Sequence, residues 1–165
     1  MTPKPDPIRV VFDCMVFLQA AGRPQSPARA CAELVEAGRL TLCLDQSCLD
    51  EIRGVLSRPA LRIKFPDLDP TWADGFIAKL GSLCHFHRDV SQVFEYPRDP
   101  KDEKYINLSH AAQAAYLVSR DNDLLDMMRP TTPEAVGFRA RFPDLKIVTP
   151  EELLAIIRTE PAGPV

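Results

Sequence analysis

Apolar positions along the chain follow two alternating periods: short continuous runs, and longer stretches in which apolar residues return every three or four positions. "IRVVFD" (8–13) is short, β-branched and apolar, which predicts a buried strand. "RLTLCL" (39–44), "AAYLVSRD" (114–121, ending near Ser119) and "LKIVTP" (145–150) predict further strands, and "DVSQV" (89–93) a weaker one. Between them, "SPARACAELVEAG" (26–38) predicts a helix with Ser26 as cap, Pro27 in its first turn and Gly38 closing it. "SCLDEIRGVLSRP" (47–59) predicts a helix capped by Ser47 and stopped by Pro59. "DPTWADGFIAKLGSLCHF" (69–86) and "DPKDEKYINLSHAAQA" (99–114) both start on Asp-Pro, a cap followed by a first-turn proline. "PEELLAII" (150–157) predicts the last helix, and the stretch before residue 145 is less regular.

Strands interleaved with helices mean βαβ units, so the expected fold is α/β: a three-layer α/β/α, Rossmann-like arrangement around a mainly parallel sheet. With 165 residues and no internal repeat or linker, one domain over 1–158 is expected, followed by a disordered tail at 159–165 ("TEPAGPV"). No apolar run is long enough to span a bilayer, and "MTPKPDP" at the start has no signal-peptide pattern, so a cytoplasmic location is expected.

In such a fold the C-terminal ends of strands and the N-terminal ends of helices share one rim, where ligands bind. Asp13 ends the first strand there. Asp121 and Asp123 follow a later strand, Glu51 sits early in the 47–59 helix, and Asp102 is at the third position of the helix opening at Asp99. On a helical wheel Glu51 falls about 40° from Val55, at the border of the apolar stripe, and can lean over the core edge. Each acid also has a structural reading, because first-turn acids favour the helix dipole and "SRDND" suits a turn. Asp13 is harder to explain that way: it is flanked by "RVVF" and "CMVFL", and no basic residue follows it until Arg23. Converging carboxylates repel one another and take up protons unless a cation lies among them. An all-oxygen donor set suits a hard ion, Mg²⁺ or Mn²⁺, singly or as a pair, and such ions support phosphodiester hydrolysis.

The net charge of −3 argues against a wholly basic nucleic-acid surface but not against a local patch. Arg58, Arg62, Arg98, Lys101, Lys104 and Arg120 are candidate phosphate contacts near the rim, or equally surface charges balancing 23 acids. Five cysteines without a CxxC pair are read as buried free thiols. "CHFH" (Cys84, His85, His87) offers metal-binding side chains, but two histidines two apart suit joint coordination poorly on a helix, and a solvated segment end is preferred. No Gly-rich phosphate loop follows any strand, which disfavours a nucleotide-binding or phosphatase reading.

"VVFDCMVFLQA", "LDEIRGVLSRP", "RDPKDEKYINLSHAAQAAYLVSRDNDLL" and "PEELLAII", in that order and spacing, resemble a PIN domain, most closely the branch of toxin components from bacterial toxin–antitoxin pairs. The resemblance covers residues 8–158. It implies an endoribonuclease that cuts RNA using Mg²⁺ or Mn²⁺ held by Asp13, Glu51, Asp102 and Asp121, with Asp123 as accessory ligand and Ser119 as supporting hydroxyl. It prefers Asp102 to Asp99, which is taken as the cap. It also implies a small antitoxin partner and a homo-oligomer. The family's "DTN" is "DCM" here, so Cys14 and Met15 stand where polar side chains usually support the first acid. That departure keeps a second reading open, a weak or silent PIN-like module that binds RNA or a protein.

Overall fold

The computed structural model describes residues 6–159; most of the expected tail lies outside them. Within this range five strands form one sheet, β1 (Ile8–Phe12), β2 (Leu40–Leu44), β3 (His85–Phe86), β4 (Tyr116–Val118) and β5 (Lys146–Val148), in the order β3-β2-β1-β4-β5. All pairings are parallel, with Val10 opposite both Leu42 and Tyr116. The α/β class, the parallel sheet and the flanking helices agree with the sequence.

Strand β1 lies at the centre and is buried through Val10, Val11 and Phe12. Helices α1 (Cys14–Gly22), α2 (Pro27–Glu36) and α9 (Pro150–Thr159) pack together, α2 against β2 and α9 against β4 and β5. Helix α6 (Glu103–Ala111) packs across β1, β2 and β4 to close the second face. One apolar cluster runs through these layers.

Several caps behave as the sequence implies. Ser26 accepts from Arg29 N–H at 3.1 Å, and Asp69 accepts from Thr71 N–H at 2.9 Å to open α5 (Pro70–Leu83). Other expectations need correction. Helix α3 (Gln46–Leu56) is capped by Asp45, whose carboxylate accepts from Cys48 N–H at 2.8 Å, and not by Ser47. Pro59 does not end all helical structure, because the short α4 (Ala60–Lys64) follows it. Helix α1 was not expected: its residues are apolar on nearly every side, so no 3.6-residue contrast separates them from the strand before.

"DVSQV" forms no strand. The edge strand is instead His85–Phe86, one residue past α5, and Asp89 then turns the chain with φ 55°. Past that turn Asn107 takes the place of a ladder partner, its side-chain oxygen accepting from Val93 N–H and Phe94 N–H, both at 2.9 Å. The irregular stretch contains α7 (Asn122–Leu125) and α8 (Pro133–Arg141).

Two glycines give opposite expectations. Gly38 turns the chain out of α2 with φ 74°, while Gly54 lies inside α3 with open space where a Cβ would point. Gly38→Ala is expected to cost about 1–2 kcal/mol, the left-handed penalty, although nothing would clash. Gly54→Ala is expected to stabilise by about 0.5–1 kcal/mol. Urea unfolding of the two variants checks the pair; equal signs would contradict the assigned backbone.

Candidate metal centre

Pairing of β1 with β4 sets Phe12 beside Val118, so Asp13 and Ser119, the next residue on each strand, emerge together. Asp13 N–H continues the ladder to the Val118 carbonyl at 3.1 Å. The chain then turns into α1, and Asp13 caps it: Oδ1 accepts from Val16 N–H at 3.0 Å, and Oδ2 accepts from the Ser119 hydroxyl. Ser119 Oγ also accepts from Asp121 N–H at 2.9 Å, which ties the next acid to the same hydroxyl. Asp121 in turn caps α7, accepting from Asp123 N–H at 2.9 Å.

The third acid arrives from the opposite direction. Asp99 caps a single 3₁₀ turn, Pro100–Asp102, and Asp102 sits where this turn passes into α6. The Asp102 carboxyl is buried, lies within hydrogen-bonding reach of Asp121, and feels the charges of Asp99 and Asp13. Its Oδ2 is buried with no donor directed at it. Asp99, Asp121 and Asp123 bring carboxylate oxygens within 4.8 Å of one another.

These surroundings change the acids. Burial, with added repulsion from Asp121 and Glu51, pushes Asp13 up to about 6 in spite of the Ser119 and Val16 hydrogen bonds. Burial and the neighbouring Asp121 push Asp102 up to about 8. Two carboxyls this close must share a proton or a cation. Among the described residues no ion pair reaches Asp13 or Asp102. The orphaned Asp102 oxygen and the all-oxygen donor set fit a hard divalent cation.

Glu51 lies close enough to act electrostatically on Asp13, but it also has local partners. The Tyr105 hydroxyl donates to Glu51 Oε2 at 2.9 Å, and Lys104 Nζ forms an ion pair with the same oxygen. Tyr105 also accepts from Cys14 N–H at 3.1 Å, so one phenol connects the residue after Asp13 to Glu51. Sequence reasoning missed Tyr105, because a tyrosine in an amphipathic helix reads as core. It also treated Asp99 only as a cap, although Asp99 is both cap and cluster member.

The candidate phosphate contacts divide. Arg58 and Arg62 line a cleft of about 560 Å³ together with Arg53, which was not singled out. Arg58 acts electrostatically on Cys14, beside Asp13. Lys101 and Lys104 line a smaller groove with Asp45 and Gln92. Arg98 and Arg120 are engaged elsewhere. Arg98 pairs with Asp123 at 2.7 Å and Asp126 at 3.2 Å, while Arg120 pairs with Glu151 at 2.5 Å and bonds Gln19 at 2.6 Å.

No described helix is long and apolar enough to cross a membrane. The cysteines are free; four are buried, and burial raises each of their thiols above the ordinary range. A comparison with curated proteins finds no significant match. The family model described as "PIN domain" matches residues 9–123, a span that holds Asp13, Glu51, Asp102, Ser119, Asp121 and Asp123. This match covers well over half of the chain, and with the acidic rim between β1 and β4 it shows that the protein belongs to the PIN-domain family, whose members are generally metal-dependent nucleases.

Proposed function

We propose that the protein is an endoribonuclease that hydrolyses RNA phosphodiester bonds with Mg²⁺ or Mn²⁺ held by Asp13, Asp102 and Asp121. Glu51 and Asp123 complete the acidic set from its two sides. One observation carries this reading: the Asp102 oxygen is buried without a donor beside Asp121 and Asp13, and among the described residues no lysine or arginine pairs with any of these three. Magnesium or manganese at that point supplies Lewis acidity toward the phosphate and a nucleophile from water at neutral pH.

The chain's own residues supply the rest. Ser119 holds Asp13 with one oxygen fixed, and each Asp13 oxygen keeps a second lone pair for a cation. Tyr105 and Lys104 set the orientation of Glu51. Arg53, Arg58 and Arg62 offer phosphate contacts in their cleft, so the strand is held beside an acidic rim that would otherwise repel it.

The order and spacing of the four quoted motifs support a narrower role, the toxin of a type II toxin–antitoxin pair. In that role it works in the cytoplasm, forms a homo-oligomer and is neutralised by a small antitoxin. The Lys104–Glu51 ion pair favours the second reading, a silent module in which an ammonium takes the place of the cation beside Glu51. Cys14 and Met15 point the same way, because neither side chain offers the first acid a strong hydrogen bond.

Activity separates the two. Purified protein with Mn²⁺ is expected to cleave single-stranded RNA. Asp13→Asn should lower the rate by more than about 100-fold, and Ser119→Ala by about 10–100-fold, as for loss of a ligand's supporting partner. Wild-type and Asp13→Asn cleaving at one rate would remove the nuclease reading.

Acidity gives an independent measurement. Asp13 and Asp102 are raised in the folded state, so their contribution to stability is full below about pH 4 and is lost as pH rises through about 6 and then about 8. The metal-free protein is therefore expected to melt at progressively lower temperature from pH 5 to pH 8. Added Mn²⁺ should raise the melting temperature, by an increment that grows over the same window. An increment independent of pH would mean that the ion binds elsewhere.

A further inference from the structure

The edge of the sheet carries a second group of metal-binding side chains, of different chemistry. Strand β3 starts at His85, in register with Cys43 of β2, and His87 N–H continues the ladder to the Leu44 carbonyl at 2.8 Å. In an extended strand, residues two apart project from the same face. His85, His87 and Cys43 therefore share one face of the sheet. The spacing that suits a helix poorly is the spacing a strand requires. Cys84, the neighbour suggested by the sequence, is engaged with the Gly81 carbonyl at 3.0 Å and is not among the converging donors.

The donor atoms of Cys43, His85 and His87 lie within 4.8 Å of one another, and the two imidazole rings are 4.7 Å apart. Three ligands of a tetrahedral zinc ion stand about 3.3–3.6 Å apart, a gap that small side-chain rotations close. A further observation belongs to His87: its Nε2 is buried and has no hydrogen-bond partner. Cys43 is fully buried, with its sulfur only in weak contact with the Thr41 carbonyl at 4.0 Å, while His85 is exposed and free to swing.

We infer that Cys43, His85 and His87 bind a divalent transition-metal ion of the Zn²⁺ class, at a site separate from the carboxylate rim and independent of the nuclease reading. One thiolate and two imidazoles select borderline-soft ions over Mg²⁺. Three protein ligands leave a fourth position for water. Arg9 lies on the same face and opposes a cation, but its guanidinium is held by the Ala112 carbonyl at 3.0 Å, and Asp45 contributes negative charge beside His87. Such an ion would fasten the two-residue β3 to β2, just ahead of the Asp45 cap of α3.

Cobalt reports this chemistry directly, since thiolate ligation produces a charge-transfer absorption that carboxylates do not. Co²⁺ is titrated into the full chain in excess Mg²⁺, which keeps the acidic rim occupied. The expected result is a thiolate-to-cobalt band that Zn²⁺ displaces and that both Cys43→Ser and His85→Ala abolish. His85 is exposed, so its variant tests the site without disturbing the core, and its metal-free melting temperature should match wild type. No band in the wild type, or a band that survives His85→Ala, overturns the proposal. Loss of nuclease activity in other variants bears on the rim alone.

Discussion

A carboxylate group forced into the interior beside others of its kind sets the terms for this molecule. Asp13 is buried at the end of the central strand, and the backbone leaves it no alternative position, because Phe12 before it belongs to the sheet and α1 begins directly after it. Ser119 and the Val16 N–H satisfy its oxygens without neutralising its charge. Asp102 and Asp121 are then placed against it from two further parts of the chain. Burying ionised groups this way is costly unless an opposite charge arrives.

The distribution of opposite charges sharpens the point. Arg98 answers Asp123 and Asp126, Lys104 answers Glu51, and Arg120 answers Glu151. All these pairs lie on the periphery and are partly exposed, where each contributes little stability. Among the described residues the centre has hydrogen bonds but no basic side chain paired with Asp13, Asp102 or Asp121. A fold selected only for stability would place its arginines the other way round, or replace Asp102 with an apolar residue. The arrangement makes sense if the missing positive charge comes from solution.

Much of this was legible in the chain. Alternating periods indicate a parallel α/β sheet, and the rule that ligands gather at strand C-termini places Asp13, Asp102 and Asp121 at one rim. What the pattern could not convey was local. Helix α1 is apolar almost throughout, so it reads as more strand, and Asp13 looked stranded when it was in fact a helix cap. "DVSQV" reads as a weak strand, but Asp89 turns the chain and the Asn107 amide claims the backbone that a neighbouring strand would have used. Arg98 and Arg120 stand near Asp102 and Asp121 in the sequence, but their ion pairs go to Asp123, Asp126 and Glu151, which sequence proximity does not reveal. Tyr105 had no signal at all, since its role depends on Cys14, a contact bridging 91 residues.

The order of the strands has a consequence for how the protein comes into being. Strand β1 is made first, yet its neighbour β4 is made more than a hundred residues later, after β2 and β3 have already taken the other side. Until residues 116–123 have left the ribosome, Asp13 has no Ser119 to hold it and no Asp121 beside it. A chain that stops short of β4 therefore carries no assembled acidic pocket, so whatever chemistry the pocket performs waits on the segment that supplies Ser119 and Asp121.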